Sequence, residues 1–150
     1  LELSGRQFLT RLIVSAHQWE SLTHSLQEIY YLRYMTLNDI LTFCNSLPAT
    51  EETFPFDQRT LVFKVKGKMY ALIDIHEPET INLKCDPEMA IELREKHDEI
   101  QPGYHMSKKH WNTVSLLGNL KESMIQEMIV NSYELVVKSL PKKVRDELAR

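Results

Sequence analysis

The feature that most constrains this chain is a period-two alternation of side chains in three consecutive runs, residues 60–66, 68–75 and 80–85. Successive side chains of an extended backbone point to opposite faces. Leu61, Phe63 and Val65 therefore share one face, as do Ile81, Leu83 and Cys85, while Lys64, Lys66, Asn82 and Lys84 point the other way. Runs of this kind predict strands with one buried face. The first two are joined at Lys66-Gly67, and glycine adopts the positive φ that so short a hairpin requires. A fourth run, residues 110–117, follows the turn signal Pro102-Gly103. These segments predict an antiparallel sheet with one core face and one polar, basic face.

Helical segments supply the cover for the core face. Thr36, with Asp39 three residues on, reads as a helix cap; the helix runs through Ile40, Leu41, Phe43 and Cys44 to Leu47, and Pro48 stops it. Asp86-Pro87-Glu88 places a capping side chain, a proline at the first helical position and an acid at the positive end of the dipole, starting a helix that continues to about His97. From near Asn119 a helix presents Leu120, Met124, Met128, Ile129, Leu135 and Val136 as one stripe, and beyond Pro141 a short surface helix is expected over residues 142–150. The loop at residues 51–57, with Phe54 and Phe56 around Pro55, is expected to tuck onto the core. The fold class is thus α+β, an antiparallel sheet with helices on one face. Residues 1–34 read as a separate amphipathic helical extension, opened by Ser4 and Gln7 in capping-box spacing. Its three arginines balance three glutamates, so it suits packing, either across the 35–150 domain or against its own copy in a homodimer, rather than anion binding.

A chain of 150 residues can bury a self-sufficient core. It has no apolar run long enough to span a bilayer and no cleavable signal pattern, and its two cysteines, Cys44 and Cys85, lie far apart. A cytoplasmic protein without a membrane partner is expected. A formal charge of -3 argues against indiscriminate coating of nucleic acid. The charge is unevenly spread, however: from Ile100 to Lys121 there are lysines and no acid, so an anion site should be local. The densest chemistry is Gly103-Tyr104-His105-Met106-Ser107-Lys108-Lys109-His110-Trp111-Asn112. Lysines neutralise phosphate and aromatic faces stack on bases, a mixture found in nucleic-acid sites; the bland alternative is that Tyr104 and Trp111 are core residues ringed by solvated lysines. His105 and His110 stand five apart with no third ligand nearby, so no metal is expected. No nucleophile elbow, cysteine signature or phosphate-cradling glycine loop is present, which predicts neither an enzyme nor a cofactor.

Several strings together resemble the MmcQ/YjbR family. They are Thr60-Leu61-Val62-Phe63-Lys64-Val65 with Gly67-Lys68-Met69-Tyr70-Ala71-Leu72-Ile73-Asp74, then Ile81-Asn82-Leu83-Lys84-Cys85-Asp86-Pro87-Glu88, then Pro102-Gly103-Tyr104-His105-Met106 with Lys108-Lys109-His110-Trp111-Asn112-Thr113-Val114, and last Ser132-Tyr133 with Leu140-Pro141-Lys142-Lys143. Members of that family start near Met35, so residues 1–34 are expected to be an addition to the family domain. The resemblance implies a CyaY-like (frataxin-like) fold and a double-wing DNA-binding arrangement; iron handling is not carried over, because no matching acidic ridge is found. The leading expectation is a DNA-binding accessory or regulatory protein in which Lys64, Lys66, Lys84, Lys108 and Lys109 contact the phosphates of double-stranded DNA and Trp111 or Tyr104 supports the site. The alternative is a non-catalytic pocket for a small anionic ligand or acidic peptide, built from Asn82, Tyr104, His105, Trp111 and Asn112 beside Lys84.

Overall fold

The computed structural model describes residues 34–149. Except for Tyr34, the helix expected over residues 1–34 lies outside them, and so does any pairing it makes with its own copy. Thr36 opens α1 (Leu37–Ser46) with a reciprocal capping box: its hydroxyl accepts from the Asp39 amide at 3.3 Å, and the Asp39 carboxylate accepts from the Thr36 amide at 2.8 Å. The chain then forms β1 (Thr50–Thr53), β2 (Thr60–Val65), β3 (Lys68–Asp74) and β4 (Thr80–Lys84). Next come α2 (Pro87–Lys96), β5 (Ile100–Pro102), β6 (Trp111–Ser115), α3 (Glu122–Lys138) and α4 (Lys142–Leu148). All six strands are antiparallel, in the order β1-β2-β3-β4-β6-β5. At the β2–β3 turn both Lys66 (φ 49°) and Gly67 (φ 79°) are left-handed, the pairing that matches the twist of a two-residue hairpin.

Helix α3 lies across β2, β3 and β4 and buries Ile125, Met128, Ile129, Ser132, Tyr133 and Val136, a stripe at helical spacing. With Ile40 and Cys44 of α1 it meets Leu61, Phe63, Val65, Ile73, Ile81 and Leu83, so the helices sit on one face of the sheet. Between Phe63 and Lys64 the β2–β3 register slips, leaving Tyr70 as an extra residue on β3. Tyr70 and Ala71 consequently both enter the core. Beyond the bulge the β3–β4 ladder stops at Ala71–Leu83, and Ser132 of α3 takes over. Its hydroxyl donates to the Tyr70 carbonyl and accepts from the Lys84 amide at 2.8 Å. A single buried serine thus satisfies two backbone groups that the bulge leaves out of the ladder, and it ties the end of β4 to α3.

Four expectations need correction. Residues 50–53 form an edge strand rather than part of a tucked lid, and Phe54 and Phe56 stay exposed (47% and 63%), because pairing with β2 holds the loop's first residues in the sheet and carries its phenylalanines past the edge. Residues 100–102, where no strand is expected and the turn signal Pro102-Gly103 begins, form the opposite edge strand, ended by Pro102. The last long helix begins at Glu122, since the Asn119 amide is held by Glu99 Oε1 at 2.9 Å. The far face of the sheet is also not purely polar. Val62, Leu72 and Trp111 are buried there with Met69 and Met106 against them, so Val62 and Leu72 belong to strands covered on both sides.

Candidate functional site

Antiparallel register decides where the lysines fall. The β2–β3 turn, the last residue of β4 and the β5–β6 connection at residues 103–110 all lie at one end of the sheet. Lys64, Lys66, Lys84, Lys108 and Lys109 are therefore gathered at that end, with Lys66, Lys108 and Lys109 exposed and Lys64 and Lys84 half-buried. Lys84 stands opposite Trp111 in register, its Nζ 5.5 Å from the ring centroid, so the ammonium lies over a π face while its stem covers the buried indole. Lys64 faces Glu51 across β1–β2, an opposite-charge pair that offsets part of its field.

The 103–110 connection is held from both sides of the sheet. On the far face the Thr113 hydroxyl accepts from the Tyr104 amide at 2.9 Å and donates to Asn82 Oδ1 at 2.6 Å. From α2, Arg94 donates to the carbonyls of Lys108 and Trp111, and its Nε to Asn112 Oδ1 at 2.7 Å. Gly103 is buried against Trp111 and donates its amide to the Trp111 carbonyl at 2.8 Å. The role of Arg94 depends on α2 lying beside β5, which no local pattern in the sequence announces.

The residues expected to form a ligand pocket are divided. Asn82, Tyr104 and His105 line an open groove of about 620 Å³ on the far face, floored by Leu72 and flanked by Met106. Trp111 lies beneath the connection, 5% exposed. Asn112 is corrected outright: it alternates with Trp111, points to the helix face and is buried as the partner of Arg94, so it is not part of the pocket. Tyr104 is 70% exposed and its ring lies beside that of His105, centroids 4.0 Å apart and tilted by 54°, while His105 holds a left-handed backbone (φ 55°). The groove wall away from the lysines carries Asp57, Asp74, Glu77 and Glu79. Arg59 bridges Asp74 at 2.7 Å and Glu77 at 3.3 Å. Amides of Thr60 and Arg59 hold the Asp57 carboxyl below its ordinary value; at Asp74 desolvation pushes upward, but the His76 and Glu77 amides and Arg59 outweigh it.

Among the described residues no group of three or more metal-ligating side chains converges, and no helix is long and apolar enough to cross a membrane. Cys44 is buried with its thiol pushed up to about 12 by desolvation, and Cys85 is also buried and raised, which makes both poor nucleophiles.

Comparison with known proteins agrees on one group. The YjbR family model matches residues 45–135. The uncharacterised protein YjbR of Escherichia coli (strain K12) is 32% identical over 117 residues, 77% of this chain and 99% of that protein. The uncharacterised protein YbdF of Escherichia coli O157:H7 is 37% identical over 98 residues, 65% of this chain and 80% of that protein. Among solved structures, Deinococcus radiodurans protein DR2400, with a DUF419 domain, superposes with a TM-score of 0.73 at 46% identity, covering 78% of this chain and 90% of that one. A Pseudomonas syringae protein superposes with a TM-score of 0.59 at 31% identity, covering 67% and 98%.

Proposed function

The chain belongs to the YjbR family, and from that premise we propose that it is a non-catalytic DNA-binding accessory or regulatory protein whose lysine-bearing sheet end grips duplex phosphates. One observation carries the reading: the β2–β3 turn and the 103–110 connection lie at the same end of the sheet, on either side of Lys84. Their midlines are three strand spacings apart, about 14 Å at ~4.8 Å per strand. That is close to the roughly 12 Å width of the major groove, so Lys66 on one wing and Lys108 and Lys109 on the other would meet phosphates on its two rims. On this reading the two would act as the wings of a double-wing motif on a CyaY-like sheet. The carboxylates at the far end of the same face repel phosphate and confine the duplex to the lysine end. They also count against an anionic small molecule or acidic peptide in the groove.

The test is fluorescence anisotropy of a labelled duplex at two or more salt concentrations. Each phosphate contact contributes about 0.9 to the slope of log K against log salt, so Lys108→Ala with Lys109→Ala should lower the slope by about 2 and weaken binding at least about tenfold at low salt. Absence of wild-type binding at low salt, or an unchanged slope in the double variant, would overturn the proposal.

A further inference from the structure

The groove runs from the carboxylate end of the face to the 103–110 connection, and it has a chemistry opposite to that of the lysine end. At about 620 Å³ it lies within the size range of small-molecule sites. Among the described residues, Phe56 and Tyr104 are large apolar side chains left exposed, and they line it from opposite walls. Phe56 comes from the 54–59 loop, and Tyr104 from the connection that Thr113 pins to the sheet. Aromatic surface held open on both sides of a concavity is a binding surface rather than core. Its charge sets the ligand class. Asp57, Asp74, Glu77 and Glu79 belong to two separate segments, and Arg59 offsets one of the four charges. The spread fails to converge on a metal ion, but it suits positive charges spaced along a chain.

We infer that this groove binds an aliphatic polyamine, its methylenes against Phe56, Leu72 and Met106 and its ammonium groups on the carboxylate wall and the Tyr104 ring. The stem of such a ligand buries apolar surface while each charged head keeps a partner, and an ammonium over a ring gains a cation–π contact. Glu77 and Glu79 lie in the exposed β3–β4 connection, so neutralising them leaves the fold intact, whereas Asp57 also clasps its own turn through the Thr60 and Arg59 amides.

Calorimetric titration with spermidine at low ionic strength tests the assignment on the full chain. Saturable one-to-one binding is expected, weakened by about tenfold in E77Q/E79Q and by about threefold in Tyr104→Ala. Far-ultraviolet circular dichroism verifies that each variant is folded. No saturable heat in the wild type overturns the inference. So does binding that Tyr104→Ala leaves untouched, since the amine would then be sensing diffuse negative potential rather than occupying the groove. Because the readout is spermidine rather than duplex, and E77Q/E79Q and Tyr104→Ala leave Lys64, Lys66, Lys84, Lys108 and Lys109 in place, failure of this inference and failure of the DNA proposal are read separately.

Discussion

A Cβ built on Gly103 would stand 2.8 Å from Trp111 Cβ and 3.0 Å from the Trp111 carbonyl oxygen. Neither neighbour can yield cheaply, because that carbonyl also accepts the Gly103 amide and an Arg94 N–H. Gly103→Ala should therefore lower the urea midpoint by an amount equivalent to about 1–3 kcal/mol with the slope m unchanged, and shift the emission of tryptophan as the indole is displaced. A midpoint within error of wild type would show that the connection reseats at no cost. None of this is visible in the string Pro102-Gly103-Tyr104, where the glycine reads as a turn former. The two aromatics of the same stretch were equally opaque. Trp111 is covered and Tyr104 is open, and alternation cannot separate them, because the cover is the connection itself folding back rather than a neighbouring strand.

The elements with strong local chemistry were legible. Thr36 with Asp39, Asp86 with Pro87, and Lys66 with Gly67 each satisfy a backbone requirement within a few residues, and each marks a boundary that the structure keeps. The two edge strands were not. Thr50–Thr53 carries glutamates in place of an apolar face, and Ile100–Pro102 is three residues long and ends in proline, so both exist because a partner strand offers its ladder. Arg94 shows the same dependence in α2. Its three hydrogen bonds fix the Lys108 and Trp111 carbonyls and satisfy buried Asn112. Replacing it with Met keeps the stem but removes the donors, leaving Asn112 Oδ1 without its charged partner at a cost of roughly 2–3 kcal/mol. Hydrogen exchange at the His110 and Trp111 amides, which close the turn onto the Ser107 carbonyl, should accelerate in Arg94→Met while the β2–β3 amides keep their order of protection. Equal protection of the connection in both proteins would remove Arg94 from the role of positioning the two lysines.

At the scale of the whole molecule, several ties in the sheet's connections, local and long-range, are carboxylates. Asp57 clasps the entry to β2, Asp74 closes β3 onto the following turn and onto Arg59, and Glu99 reaches the Asn119 amide before α3. Each has its pKa held below the ordinary value, chiefly by backbone N–H donors at Asp57 and Glu99 and, against desolvation, by backbone donors and Arg59 at Asp74. A depressed folded pKa means that the unfolded chain binds more protons in this window, so the contribution is complete above the unfolded carboxylate values near 4 and is lost as pH falls through the folded ones. The sign reverses for the core. Burial raises the Cys44 thiol to about 12 and pushes the Tyr70 hydroxyl up as well, so both stabilise the fold below their unfolded pKa and oppose it as pH rises above. Urea midpoints measured across the pH range should accordingly form a plateau from about pH 5 to about pH 8, falling on an acid limb below ~4 and on an alkaline limb above the plateau. Asp74→Asn should flatten the acid limb, and Cys44→Ala the alkaline one relative to its own plateau. A profile that instead peaks sharply near the isoelectric point and is insensitive to both variants would mean that net charge, rather than these particular clasps and buried acids, governs the stability of the fold.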